Sequence, residues 1–221
     1  PGATVHYAWP SRGQVMGYAY DQDSALFARD GLTALLRMVR DAGARRIVLV
    51  GHSMGGFLTM EALRQLSIAG DRTTLDRIGA VILISPDIDT DLFRIEAHRI
   101  GRLPQPFIVF TSQSDKALNI SAHMRGESAR LGNLHDISRL ADLKVTLIDT
   151  ARFDTQGGHF NVANSPELIR LLRNWSGLAR VLAGEQASHR DPFASVVLSV
   201  QNATQIVLNP IEKIGTAIDA H

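Results

Sequence analysis

The sequence predicts an α/β fold in which a mostly parallel β-sheet carries helices on both faces. Short apolar runs rich in β-branched residues alternate along the chain with segments whose apolar residues recur every three or four positions. Such alternation is typical of parallel strands joined by helical crossovers. The runs are also apolar throughout, as expected for strands that are buried on both faces.

The predicted strands and helices follow one another in a regular order. The first helical stripe runs from Ala25 to Val39 and comes after Asp23 and Ser24, which suit a helix N-cap. A second stripe, at residues 58–66, follows the second strand. Between the third and fourth strands there is room for one helix but not for a large cap domain. The predicted strands cover residues 4–9, 46–50, 80–84, 106–111 and 144–148.

The carboxyl-terminal part of the chain has a different pattern, which predicts a domain over residues 1–183 and a tail over 184–221. From Phe193 to Ile218, apolar residues are spaced alternately by four and three positions, a period typical of an amphipathic helix. Pro210 is expected to break it. The tail is predicted to pack on the domain or on a second copy of the chain. A membrane-surface helix and disorder remain alternatives.

The composition is that of an ordinary folded protein, and it excludes several classes of function. Hydrophobic residues make up 45% of the 221 residues, and 23 basic against 22 acidic residues give a net charge of +1. No basic stretch indicates a nucleic-acid surface, and no apolar run is long enough to span a bilayer. The absence of cysteine excludes disulfides and thiolate chemistry. Because the first residue is Pro1, a targeting signal is unreadable and the compartment stays unassigned.

A serine motif follows the second predicted strand. Residues 51–55 read Gly-His-Ser-Met-Gly and are followed by a helical stripe, which is the context of a G-x-S-x-G nucleophile elbow. The sharp turn is expected to strain the backbone of Ser53, and a side chain on either glycine is expected to clash with the neighbouring strand and helix. The Oγ of Ser53 is then expected at the carboxyl edge of the sheet. There the N–H of Met54 is the predicted oxyanion donor.

A serine nucleophile needs a general base, and the base needs an orienting carboxylate. In proteins with this elbow, the order along the chain is serine, acid, histidine. Asp115 follows the strand at 106–111, and His159 follows the strand at 144–148. Because the carboxyl ends of parallel strands meet at one edge of a sheet, Ser53, Asp115 and His159 are the predicted catalytic triad.

Other acids and histidines are weaker candidates for the triad. Asp87 follows the strand at 80–84 and is the alternative acid. His52 adjoins the nucleophile, but its side chain is expected to point away from that of Ser53 and to pack or hydrogen-bond beneath the turn. The remaining candidates do not follow a strand end, or lie so close to His159 that they are expected to shape its loop: His123, His135, Asp149 and Asp154.

No metal ion and no cofactor is expected. The segment from Asp87 to Asp91 resembles the opening of a calcium loop, but Leu92 and His98 stand where that loop needs glycine and glutamate. Asp89 or Asp91 suits instead the N-cap of the following helix. The sequence contains no zinc-ligand spacing, no dinucleotide-binding glycine motif and no phosphate-binding Walker loop.

Taken together, these motifs resemble the alpha/beta-hydrolase superfamily and, within it, an esterase-like bacterial family catalogued as domain of unknown function 900. The resemblance implies Ser53 as nucleophile, Asp115 as acid and His159 as base. It covers roughly residues 4–175 and rests on Trp9-Pro10-Ser11, Tyr20-Asp21, Gly51 to Gly55, Ser85-Pro86-Asp87-Ile88-Asp89, Phe93, Asp115-Lys116-Ala117-Leu118, Arg130-Leu131-Gly132 and His159.

The sequence departs from the superfamily before residue 4. Such hydrolases usually have further strands there, and the loop after the last of them supplies a second oxyanion N–H through a His-Gly-type motif. Nothing in the sequence matches that motif. Either the domain lacks its N-terminal strands or the oxyanion hole is built otherwise, and a single donor would cost about 10²–10³ in rate.

These observations predict a serine hydrolase that cleaves small-molecule carboxylic esters through an acyl-enzyme. An acyltransferase or a thioesterase with the same triad is an alternative, because the acceptor that reaches the acyl-enzyme decides between these activities. A non-catalytic interaction module with this fold is an alternative of another class. The triad argues against such a module, whereas the unmatched oxyanion motif argues for it.

Overall fold

The computed structural model describes residues 2–13, 17–111, 130–134, 136–150 and 193–210. The described strands are β1 (Ile47–His52), β2 (Ile78–Ile84), β3 (Phe107–Thr111), β4 (Thr146–Asp149), β5 (Phe193–Val200) and β6 (Ala203–Pro210). They form one six-stranded sheet in the order β1-β2-β3-β4-β6-β5. All neighbouring pairs are parallel except β5 and β6, which are antiparallel. This mostly parallel sheet confirms the predicted fold class.

The helices are α1 (Tyr18–Asp41), α2 (Met54–Ile68), α3 (Arg72–Leu75) and α4 (Thr90–Ile100), with 3₁₀ turns at Leu131–Asn133 and Ile137–Leu140. Helix α2 packs against β1, α1 and α4. Asp89 caps the N-terminus of α4 by accepting hydrogen bonds of 2.9 Å from the N–H groups of Asp91 and Leu92, which confirms the predicted capping role. Within the described ranges, no helix is both long and apolar enough to cross a membrane.

The central strands are buried on both faces, which explains why their sequences are apolar throughout. Neighbouring residues of a strand point to opposite faces of the sheet. Val81 and Val109 belong to the hydrophobic core that the sheet shares with the helices. The residues that follow them, Ile82 and Phe110, are buried as well. At the β1 edge of the sheet, by contrast, Val48 and Val50 are exposed.

Four of the five predicted strands are confirmed, and the prediction for residues 4–9 is wrong. The structure shows no strand within residues 2–13. This segment packs on α1 instead, where the hydroxyl of Tyr7 donates a hydrogen bond of 2.7 Å to the carbonyl of Ala28. A β-branched segment becomes a strand only where a neighbouring strand offers hydrogen bonds. Among the described strands, β1 pairs with β2 alone.

The start of the first helix also differs from the prediction. Helix α1 begins at Tyr18, with Gly17 as its N-cap residue, so Asp23 and Ser24 lie inside the helix. The hydroxyl of Ser24 donates a hydrogen bond to the carbonyl of Pro10 at 2.7 Å. Ser24, one of the two residues that suited an N-cap, therefore binds the preceding segment of the chain, whereas Asp23 is exposed on the helix.

The prediction of a helical tail is wrong for residues 193–210, which form the β5–β6 hairpin. Its sequence contains four valines and one isoleucine, whose branched side chains favour a pleated strand. Gln201 has a φ of 51° and, with Asn202, forms a two-residue turn between the paired residues Val200 and Ala203. Strand β6 ends at Pro210, the residue predicted to break a helix. Residues 184–192 and 211–221 of the predicted tail lie outside the described residues.

Candidate active site

Ser53 occupies the turn between β1 and α2. The strand ends at His52 and the helix begins at Met54, so the chain reverses around a single residue. Ser53 has φ 53° and ψ −121°, a conformation that costs free energy and persists only where the surrounding structure enforces it. A serine at the start of a helix usually caps it through its hydroxyl, but the side chain of Ser53 does not cap α2. The strained turn expected of a nucleophile elbow is therefore present.

Close packing around the turn explains two of its three glycines. A Cβ on Gly51 would lie 2.7 Å from the carbonyl oxygen of Gly55, and a Cβ on Gly56 would lie 2.8 Å from the Cβ of Pro86. A Cβ on Gly55 would meet only the ring of Trp9, at an ordinary contact distance of 3.5 Å. The expected clash is thus confirmed for Gly51 and wrong for Gly55, and Gly56 is the second position that excludes a side chain.

Backbone hydrogen bonds hold Ser53 from both sides. Its N–H donates to the carbonyl of Ile84, at the end of β2, over 2.9 Å. Its carbonyl accepts hydrogen bonds from Gly56 N at 2.9 Å and from Asp87 N at 3.1 Å. The segment that follows β2 therefore fixes the serine, although it lies far from it in sequence.

The N-terminal end of α2 lies next to the serine. Met54 is the first residue of the helix, and the first N–H groups of an α-helix have no acceptor within the helix. These groups, together with the positive end of the helix dipole, attract an anion. Met54 N–H is thus at the start of the helix and next to Ser53, as an oxyanion donor would have to be, and the role itself stays a prediction.

The other two residues of the predicted triad, Asp115 and His159, lie outside the described residues. The strands before them are described: β3 ends at Thr111 and β4 ends at Asp149. Both strands run parallel to β1, so they end at the same edge of the sheet as the strand that precedes Ser53. The three strands that precede Ser53, Asp115 and His159 therefore end at one edge of the sheet, as the predicted triad requires. The triad itself stays a prediction.

Asp87, the alternative acid, forms a buried ion pair with Arg130. The Nε of Arg130 lies 3.2 Å from Oδ1 of Asp87, and the two side chains are 1% and 6% exposed. Sequence reasoning missed this partner. Arg130 belongs to a motif that the resemblance includes, but nothing in the spacing of the two residues indicates that they meet.

The remaining candidates of the sequence analysis do not form a second site in the described ranges. The side chain of His52 is exposed, and Asp149 is the last residue of β4. His123, His135 and Asp154 lie outside the described residues. Among the residues that the structure describes, no group of three or more acids and histidines could hold a metal ion.

A second loop lies next to the elbow and is organised by Asp21. The carboxylate of Asp21 accepts hydrogen bonds from the backbone N–H groups of Arg12 and Gly13 and from the hydroxyl of Ser11. These hydrogen bonds, the one from Arg12 N–H first among them, hold the pKa of Asp21 below its usual range. The loop follows Trp9, whose ring lies 3.5 Å from the position that a Cβ on Gly55 would take, so Asp21 fixes the chain beside the start of α2.

A parallel sheet with a strained serine between a strand and the helix that follows defines the alpha/beta-hydrolase class. The model of a family described as alpha/beta hydrolase of unknown function (DUF900) matches residues 1–175 of the chain. The chain belongs to this family. No curated protein and no solved structure matches the sequence.

Proposed function

We propose that the protein is a serine hydrolase that cleaves carboxylic esters, with Ser53 as the nucleophile. The observation that carries this proposal is the backbone of Ser53, which is strained at φ 53° although a serine at this position could cap α2 in a relaxed conformation. The strain keeps the hydroxyl off its own helix. Membership of the hydrolase family supports the same reaction class.

In the proposed mechanism, the Oγ of Ser53 attacks the ester carbonyl while His159 takes the serine proton. Asp115 orients His159 and stabilises its positive charge. The N–H of Met54 and the dipole of α2 stabilise the negative charge on the carbonyl oxygen. His159 then passes its proton to the leaving alcohol. Water attacks the acyl-enzyme in the second half of the cycle and regenerates Ser53.

Labelling with a fluorophosphonate tests this proposal, because the probe forms a covalent bond only with an activated serine. We expect the wild-type chain to be labelled once and Ser53→Ala to be unlabelled. Ser67→Ala is the matched control, since Ser67 lies near the other end of α2 and its hydroxyl contacts the carbonyl of Arg99. Labelling of Ser53→Ala equal to that of the wild type would overturn the proposal.

A partition experiment separates hydrolysis from acyl transfer. With p-nitrophenyl acetate as donor and an added alcohol or thiol as acceptor, a hydrolase releases mainly acetate. An acyltransferase would instead release mainly the new ester or thioester. Both results require an active Ser53, so the experiment decides only which acceptor reaches the acyl-enzyme.

A further inference from the structure

Arg130 is a fully buried arginine near the carboxyl edge of the sheet. Its side chain is only 1% exposed and forms the ion pair with Asp87. Its Nη2 also donates a hydrogen bond of 3.3 Å to the hydroxyl of Tyr18, the first residue of α1. Burying a guanidinium is costly, and a buried ion pair often contributes no more to stability than apolar residues of similar size would. Stability alone is therefore a weak reason for an arginine here.

The backbone around Arg130 is tied to the segment that follows β2. Leu131 N donates to the carbonyl of Ile88 at 2.9 Å, and Gly132 N donates to the carbonyl of Pro86 at 3.1 Å. Arg130 also forms an isolated antiparallel bridge with Asp89. The residues from 130 to 132 thus lie directly against residues 86–89.

The same segment holds the nucleophile elbow. Asp87 N donates to the carbonyl of Ser53 at 3.1 Å, and Pro86 fills the space left by the missing side chain of Gly56. The backbone of Asp87 therefore supports Ser53, while its carboxylate pairs with Arg130. A displacement of Asp87 would reach the strained turn through the hydrogen bond from Asp87 N to the carbonyl of Ser53.

We propose that Arg130 is a positioning residue, which holds Asp87 by its carboxylate so that the backbone N–H of Asp87 keeps Ser53 in its strained conformation. The inference rests on the proposed role of Ser53 as nucleophile. In this arrangement Asp87 supports the serine and does not orient the histidine. A small displacement of a reacting group can lower a rate by about 100-fold, so the effect is measurable.

The test compares Arg130→Met, Arg130→Lys and Asp87→Asn with the wild-type chain. We expect Arg130→Met to lower kcat for p-nitrophenyl acetate and the rate of fluorophosphonate labelling by about 10- to 100-fold, with little change in KM. Arg130→Lys should recover part of the loss, since an ammonium can still pair with Asp87. Arg139→Met is the control, because Arg139 pairs with Asp91 at the surface over 2.8 Å.

The double variant Arg130→Met/Asp87→Asn should be no slower than the slower single variant, because both changes remove the same support. The shape of the pH profile of kcat/KM should stay that of the wild type in each variant. Unchanged labelling in folded Arg130→Met would overturn the inference. So would a large loss in Asp87→Asn beside normal activity in Arg130→Met, since Asp87 would then act as the triad acid.

Asp87→Asn decides the question if Arg130→Met does not fold. A wild-type kcat and labelling rate in folded Asp87→Asn would overturn the inference, because the carboxylate by which Arg130 holds Asp87 would then be dispensable. The proposed function fails in a different way, through normal labelling of Ser53→Ala. The two failures are therefore distinguishable.

Discussion

At the scale of single residues, the backbone of Ser53 makes a prediction about stability as well as activity. Ser53→Ala and Ser53→Gly should both abolish ester hydrolysis. Alanine is as strained as serine at φ 53°, whereas glycine adopts this conformation freely. Ser53→Gly should therefore be more stable than Ser53→Ala, by about 1 kcal/mol, in urea or thermal denaturation.

Ser67→Gly provides the control for the glycine substitution. Ser67 lies within α2, where Ser67→Gly is expected to be less stable than Ser67→Ala by roughly 0.5–1 kcal/mol. If glycine is more stable than alanine at position 53 but less stable than alanine at position 67, the elbow is strained in solution. If glycine is less stable than alanine by the same amount at both positions, the elbow is not strained.

A second prediction at this scale ranks the two candidate acids. Asp115→Asn should lower kcat by about 10⁴-fold, because the histidine loses the charge that holds its productive tautomer. Asp87→Asn should cost about 10- to 100-fold at most, through the displacement of Ser53. Steady-state kinetics on purified variants with matching melting temperatures makes the comparison. The reverse ranking would move the acid to the end of β2.

The residues of the elbow could be predicted from the sequence, whereas their support could not. Five consecutive residues, 51–55, contain the strand end, the sharp turn and the helix start, so local rules suffice. The ion pair between Asp87 and Arg130 joins segments that meet only after the sheet has formed. No periodicity or spacing encodes such a contact.

At the scale of secondary-structure elements, the interface between α2 and α4 contains two acids. Glu96 of α4 is 1% exposed and faces Glu61 of α2. Glu61 in turn pairs with Arg29 of α1 at 3.3 Å and with Arg64 at 3.8 Å. Burial is the main cause that raises the pKa of Glu96 to about 9, and the negative charge of Glu61 adds to it.

This interface predicts that the protein loses stability as the pH rises. Above pH 4.5, the usual pKa of glutamate, unfolded chains release the proton of Glu96 while folded chains keep it up to about pH 9. Folding therefore binds a proton, and the free energy of unfolding falls by at most about 1.4 kcal/mol per pH unit in this window. Glu96→Gln has no such proton and should lose less stability between pH 6 and pH 8.5.

Melting temperatures of both proteins at the two pH values measure this difference. Asp91→Asn, an exposed acid on the same helix, serves as the control and should follow the wild type. If the melting temperature falls by the same amount between the two pH values in Glu96→Gln and in the wild type, Glu96 is not protonated in the folded protein. The result is independent of catalysis, since the acids lie between helices and not beside Ser53.

The hairpin shows where pattern reasoning on elements fails. The apolar spacing from Phe193 to Val207 fits a helical period, but it omits Ile206, which is 1% exposed in β6. The helical period and the two-residue period of a strand both fit a short apolar run, so the pattern alone does not decide between helix and strand. The segment forms a strand because β4 offers backbone hydrogen bonds to it, and β4 pairs with β6 from Thr146↔Thr204 onward. The edge of β4 exists only in the folded sheet.

At the scale of the whole molecule, the order of the sheet follows from its connections. Strands β1 to β4 are neighbours in chain order, as expected when crossovers between parallel strands are short. The alternation of strands and helices along the sequence is consistent with this order, although it does not by itself predict which strands are neighbours. The insertion of β6 between β4 and β5 was not predictable, because a hairpin can join a sheet through either of its strands.

The position of β6 leads to a prediction about the stability of the entire sheet. Because β6 covers the edge of β4, losing the hairpin should expose an apolar strand edge that promotes aggregation. Deleting residues 190–221 should lower the melting temperature or cause aggregation. The folded fraction should still react with the fluorophosphonate, since the deletion removes no residue of the elbow. A truncated chain that is as stable as the wild type but does not react with the fluorophosphonate would contradict the prediction that the hairpin supports the sheet and not the elbow.

Two point substitutions test the same idea without truncation. Ile206→Asp places an unpaired charge at a position that is 1% exposed, whereas Leu198→Asp places it on β5 at a position that is 50% exposed. The first should destabilise the protein by about 3 kcal/mol or more, and the second by about 0.5 kcal/mol or less. A helix with the predicted stripe would leave both positions off its apolar face, so the two variants would melt alike. Chemical denaturation of the purified variants therefore tests whether the hairpin belongs to the sheet in solution.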